Sequence, residues 1–113
     1  MADCIFCMII NGDIPSTKVY EDEYVFAFRD INPQAPVHIL VVPREHIACT
    51  ADINETNSHY VAKAYEAIAK IAKAEGLDSG YRVICNCGDD AGQTVKHLHF
   101  HILGGVKMTE KIV

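Results

Sequence analysis

His97-Leu98-His99-Phe100-His101-Ile102-Leu103 alternates imidazole and apolar side chains without a break. Successive side chains of an extended strand point to opposite faces. A strand over His97–Leu103 therefore sets three histidines on one side and Leu98, Phe100 and Ile102 on the other. The apolar side packs on a core, which leaves the histidine side facing a cleft or solvent. Neighbouring imidazoles then lie about 6.6 Å apart, and His97 and His101 about 13 Å apart. Two chemistries suit this array. An alternating pair leaning together can hold one metal ion with a further ligand. Alternatively, one imidazole attacks phosphorus while its neighbours position the phosphate and move a proton. The distance between the outer histidines favours a division of labour over one shared ion.

The segments on either side describe a small α+β domain. Cys4–Ile10 reads as a short helix stopped at Gly12. Lys18–Glu21 and Tyr24–Arg29 read as a hairpin around Asp22-Glu23, and Asp30–Pro36, with two prolines, as a loop. Val37–Val42 is a buried strand ended by Pro43. Ser58–Glu75 carries Val61, Ala64, Tyr65, Ile68, Ile71 and Ala72 at helical spacing, with Gly76 as the stop. Arg82–Cys87 is a further strand, joined to the histidine strand by the Gly88–Lys96 loop. The order β-β-β-α-β-β predicts one domain over residues 1–113, a five-stranded antiparallel sheet with one long helix. Such a sheet has an exposed edge, and the helix's apolar arc, widened by Tyr60 and Ala67, exceeds one core-facing stripe. Twofold pairing would cover both, so a homodimer is expected.

Composition narrows the partners. Half of the 113 residues are hydrophobic, which suits a packed domain. Ten basic against fifteen acidic residues give a net charge of −5, and no basic cluster offers a nucleic acid polymer a footing. A single nucleotide needs only backbone amides and a few side chains. No apolar run approaches the ~18 residues needed to cross a bilayer, so no membrane partner is expected. The start of the chain lacks the basic and apolar segments of a signal peptide. Five cysteines, an odd number, fit a reducing compartment, and a cytoplasmic location is expected.

Two further motifs bear on chemistry. Gly88-Asp-Asp-Ala-Gly92-Gln93-Thr94-Val95 precedes the histidines and supplies glycines, an amide and a hydroxyl, the donors that let backbone and side chain approach a phosphate. Cys4 and Cys7 form Cys-x-x-Cys, which suits a redox pair or half of a zinc site. Zinc would need two more ligands, and His38, His46, His59, Cys49, the Cys85/Cys87 pair and a triad histidine all remain open by spacing. Cys85 and Cys87 fall on one face of a strand and read as core residues.

The chain resembles the histidine triad superfamily, in its histidine triad nucleotide-binding branch, along nearly its whole length. The resemblance is carried by Cys4–Ile10 with Asp13-Ile-Pro15, Ala27 through Pro36, Val42-Pro-Arg-Glu-His46-Ile47, Gly80-Tyr-Arg82, Asn86, Gly92 through His97, and His97 through Gly105. It implies two subunits joined into one continuous sheet, and cleavage of purine nucleoside phosphoramidates or adenylates through a nucleotidylated histidine. His99 would be the nucleophile and His101 would contact the phosphate. Asn86, Gln93 and Thr94 match positions that bind phosphate or position the leaving group, in a nucleotide-binding loop that includes Gly92 and Val95. The catalytic set is then His99, His101 and Thr94. Asp30 would hold the ribose, and Ile5, Phe6, Phe28 and Ile31 would line the slot for the purine of AMP or GMP.

In keeping both N-terminal cysteines the chain resembles many bacterial relatives with a structural zinc site, which implies zinc ligands at Cys4, Cys7, His46 and His97. Two departures stand out, and the second, in the tail that helps choose the leaving group, bears on substrate choice. Thr94 stands where serine is common, and the tail after Gly105 has no tryptophan. The third histidine separates the chain from the uridylyltransferase branch, which has glutamine there. Cleavage of dinucleoside polyphosphates, or a binding or scaffold role with incidental hydrolysis, are the other readings.

Overall fold

A computed structural model describes residues 3–113. The elements are α1 (Ile5–Ile10), β1 (Lys18–Glu21), β2 (Val25–Arg29), β3 (Val37–Pro43), α2 (Ser58–Ala74), β4 (Tyr81–Ile84) and β5 (Phe100–Gly104). The strands form the five-stranded antiparallel sheet that the sequence predicts, in the order β1-β2-β3-β5-β4. Because β3 is central, its residues meet both the hairpin and the histidine segment.

Alternation along the strands builds a separate core on each face. Val25, Ala27, Ile39, Val41, Leu98, Phe100 and Ile102 pack against Ala64, Ala67, Ile68, Ile71 and Ala72 of α2. Phe26, Phe28, Leu40 and Val42 lie on the opposite face, under Phe6 and Ile9 of α1. The second core accounts for the main departure from the sequence reading. The histidine side of the sheet is not an open surface, because α1 roofs it; His97 is 0% and His99 7% exposed.

The histidine strand is also shorter than expected. The β3–β5 ladder ends at Val41↔Phe100, so only His101 of the three lies in β5. Pro43 closes β3 and has no N–H to extend the ladder. The chain at Leu98 donates instead to the Ile47 carbonyl, at 2.6 Å. The Arg82–Cys87 expectation likewise shortens to Tyr81–Ile84, so Cys85 and Cys87 leave the sheet and Cys87 is exposed. Cys87 is therefore not a core residue, while Cys85 is half-buried and packs against the edge of the α2-side core.

Local chemistry explains the ends of both helices. Cys4 caps α1, its sulfur accepting the Cys7 N–H at 3.4 Å. The chain leaves α2 through Gly76 at φ +73°, where Gly76 N–H reaches Lys73 O and Leu77 N–H reaches Ala72 O. That paired closure needs a left-handed residue and so selects glycine. Most of the apolar arc on α2 is spent within the subunit; of its large side chains only Tyr65 stays half exposed, its ring edge against Phe100.

Candidate active site

His97 organises the region through three groups. Its Nε2–H donates to the Pro43 carbonyl at 2.8 Å, which leaves Nδ1 as a lone pair. That lone pair faces two thiols, with Cys4 Sγ at 3.4 Å and Cys7 Sγ at 3.6 Å, while His46 Nδ1 lies 3.4 Å from Cys7 Sγ. The four donor atoms lie within 4.8 Å of one another. A tetrahedral ion with bonds of about 2.0–2.3 Å has edges near 3.6 Å, so these spacings fit one ion with two sulfur and two imidazole ligands. A ligating histidine whose other nitrogen is fixed by a carbonyl is the usual support for such a site. Of the open candidates, His46 and His97 are thus the two brought to the cysteines; His38, His59, Cys49, Cys85 and Cys87 are elsewhere.

The third group is the His97 carbonyl, which accepts from His99 Nδ1 at 2.6 Å. His99 Nδ1 therefore carries the proton and Nε2 keeps a lone pair, which has no partner among the described residues. Phe6 stands edge-on to this ring, centroids 5.0 Å apart. Burial holds the His99 pKa below the ordinary imidazole value, so the ring is neutral and its lone pair available near pH 7.

A fourth histidine completes the row. The Gln34 N–H donates to His38 Nδ1 at 2.9 Å, which puts the His38 proton on Nε2. That Nε2–H faces His101 Nδ1 at 2.9 Å, with Asp30 Oδ2 at 3.4 Å. His101 Nδ1 is then an acceptor and its proton sits on Nε2, a buried atom without a hydrogen-bond partner among the described residues. A buried, unanswered N–H on a ring whose centroid lies 5.0 Å from that of His99 is a donor prepared for an anionic oxygen. Sequence reading weighed His38 only as a metal ligand. The missed signal was a histidine in an otherwise apolar buried strand, sharing parity with Leu40 and Val42 on the histidine face.

The remaining predicted residues divide. Phe6 and Phe28 are buried edge-to-face at 5.5 Å, Ile5 is 44% exposed at the rim, and Ile31 is 99% exposed on the loop. Asp30 is half-buried; it caps its own loop through the Asn32 N–H at 2.8 Å and also faces His38. Gln93 is buried and its amide is fully engaged. Its Oε1 accepts from Gly88 N–H, and its Nε2 donates to the Ala48 and Val95 carbonyls. It holds the loop's shape rather than presenting a free amide. Gly92 supplies the left-handed turn at φ +80° that returns the loop to Gln93. Thr94 is exposed and borders a hollow with Val95, Ile5, His46 and Cys4. Asn86 is half-buried just beyond β4.

Comparison with known proteins is consistent along the chain. A family model of the HIT domain matches residues 11–108. A 14 kDa zinc-binding protein from Zea mays is 50% identical over 92% of this chain and 83% of its own length. A purine nucleoside phosphoramidase from Escherichia coli is 44% identical over 91% of this chain and 87% of its own. A solved HIT family hydrolase from Clostridium thermocellum superposes with a TM-score of 0.98 at 52% identity, covering 100% of this chain and 99% of that one.

The row of buried neutral rings makes stability depend on pH. Burial, with the His99 and His38 rings nearby, holds His101 down to about 4. An unfolded chain takes up that proton near pH 6.5, whereas the folded ring refuses it until about pH 4. This contribution is therefore complete above pH 6.5 and is lost as pH falls toward 4. Urea midpoints should drop across that window in the wild type, and less so in His101→Gln. An equal drop in both would remove His101 from the account.

Proposed function

The chain belongs to the HIT family, and from that premise we propose that it is a nucleotide hydrolase cleaving purine nucleoside phosphoramidates or adenylates. The observation that carries this reading is the pair of oppositely prepared nitrogens: a lone pair on His99 Nε2 and, one ring away, an unanswered N–H on His101 Nε2. The ring centroids are 5.0 Å apart, the scale of one phosphoryl group. His99 Nε2 attacks phosphorus, the P–N bond breaks, and the amine leaves with a proton taken from water. The His97 carbonyl supports the positive charge that His99 acquires, through Nδ1–H. His101 donates to a phosphoryl oxygen as charge gathers there. Water then attacks phosphorus, the bond to His99 breaks, and the nucleoside monophosphate is released with a proton. Phe6 and Phe28 supply an apolar wall beside the reacting rings, in keeping with a purine base. Thr94, at the open rim, is placed to position the leaving group. A cytoplasmic setting fits five thiols without a disulfide.

His99→Ala should lose turnover of an adenosine phosphoramidate by far more than tenfold while still binding AMP in a calorimetric titration. Activity within about tenfold of wild type would defeat attack by His99. Diadenosine polyphosphate, assayed beside the phosphoramidate, separates the two hydrolase readings. Failure of both substrates with AMP binding intact would favour a scaffold role. Since His99 is held neutral, the acid limb of kcat/KM should fall below the ordinary imidazole range.

Zinc is the ion that two thiolates and two imidazoles suit best, and a zinc-binding relative supports it. Bound there, it would pin α1 to His46 and His97 while taking no part in phosphoryl transfer. Cys4→Ser with Cys7→Ser should release zinc, measured by elemental analysis, and lower the melting temperature, with turnover at low temperature retained. Complete inactivation by a chelator, reversed by zinc alone, would instead make the ion catalytic.

A homodimer formed through the β4 edge accords with this reading. That edge is unpaired in the subunit, Tyr81 is 41% exposed, and a hollow of about 770 Å³ lies beside it between Gly76–Arg82 and Gly105–Thr109. Sedimentation at micromolar concentration should give twice the chain mass; a monomer there would refute the pairing.

A further inference from the structure

Two thiols outside the catalytic row stand in direct contact. Cys49 Sγ and Cys87 Sγ are 3.0 Å apart, although 38 positions separate them in the chain. Cys49 precedes the 3-10 turn Thr50–Asp52, and Cys87 lies beyond β4, exposed to solvent. Cys85, two residues earlier, meets the Thr50 hydroxyl at 3.3 Å instead. We propose that Cys49 and Cys87 form a reversible disulfide under hydroperoxide, and that this bond clasps the loop holding Gln93.

The placement of neighbours links the bond to the loop. Ala48, beside Cys49, gives its carbonyl to Gln93 Nε2 at 2.8 Å. Gly88, beside Cys87, gives its N–H to Gln93 Oε1 at 2.9 Å, and its carbonyl accepts the Gln93 N–H at 3.1 Å. The two cysteines thus flank the two residues that grip the Gln93 amide. Closing the sulfurs to about 2.05 Å shortens their gap by about 1 Å and joins both sides of the grip covalently. The proposal rests on the nucleotide-hydrolase reading only in placing that loop beside the nucleotide.

The chemistry assigns each sulfur a role. Contact with Cys49 Sγ and the backbone N–H groups of Ala51 and Thr50 hold the Cys87 thiol below its ordinary value, and the same contact pushes Cys49 up. Cys87 is the accessible one and attacks first. Its thiolate takes the outer oxygen of a hydroperoxide, the O–O bond breaks, and the alkoxide leaves as an alcohol on gaining a proton. Cys49 then attacks the sulfenic sulfur, and hydroxide leaves as water with the Cys49 proton. Two thiols and one hydroperoxide give one disulfide, one alcohol and one water.

The test treats the full-length, metal-replete protein with a small molar excess of hydrogen peroxide and maps non-reduced peptides by mass spectrometry. Fragment spectra should join Cys49 to Cys87 in the wild type and in Cys85→Ser, and dithiothreitol should remove the link. Cys49→Ser and Cys87→Ser should lack it; the wild-type map alone decides the point if either variant fails to fold. Reduced Cys49 and Cys87 after treatment, sulfinic acid at Cys87 without a link, or pairing with Cys85 or a second chain would each overturn the proposal. Amide exchange over Gly88–Val95 should slow by about threefold or more in the oxidised form, since a cross-link suppresses local opening. Unchanged exchange there would refute the clasp. Neither readout uses a nucleotide, so a failure here is separable from failure of the proposed reaction.

Discussion

His97 is bonded in three directions, two through its ring and one through its backbone, and each bond settles a different feature of the molecule. Through Nε2 it takes the Pro43 carbonyl, closing the end of the central strand where proline has no N–H to offer. Through Nδ1 it reaches the two thiols of the N-terminal segment, so α1 is held over the sheet. Through its backbone carbonyl it fixes the proton of His99, which decides which nitrogen of that ring is free to react. A substitution at His97 would therefore disturb strand end and roof together, while the backbone carbonyl that sets the His99 tautomer is kept by any residue. A residue so committed is unsuited to chemistry of its own, in keeping with the division of labour among the three histidines.

Much of this arrangement was legible in the residues. The alternation of Leu98, Phe100 and Ile102 with the histidines correctly separated the two faces of the sheet, because a two-residue period leaves no other assignment. Proline, glycine and helical spacing located each element within a few positions. What periodicity could not show was the roof. Phe6 and Ile9 lie on a helix of six residues, too short for a stripe to reveal which surface it covers. For the same reason the histidine face read as open, and the phenylalanines needed the family resemblance to be linked to the site at all.

Hydrogen-bond direction was the other missing layer. Gln93 and Asp30 are the residue types that meet a phosphate or a ribose, yet their polar atoms are engaged by the loop and by His38. His38 showed the opposite case, an apparent misfit in an apolar strand whose meaning lay in a partner 63 residues away. Composition supplies the atoms, but only the closed fold says which of their lone pairs and protons remain unspent.

The contact between Cys4 and His97 spans 93 positions of a chain of 113. A helix of six residues has no stability by itself, since nucleation costs more than so few hydrogen bonds return. During synthesis the N-terminal segment emerges first, but the groups that fix it emerge near the end. The hairpin and long helix can assemble on the nascent chain while the roof waits. Assembly of the site is thus withheld until almost all of the polypeptide is present, and a chain cut before His97 would keep only the β1-β2-β3 part of the sheet, because β5 is what joins β4 to it.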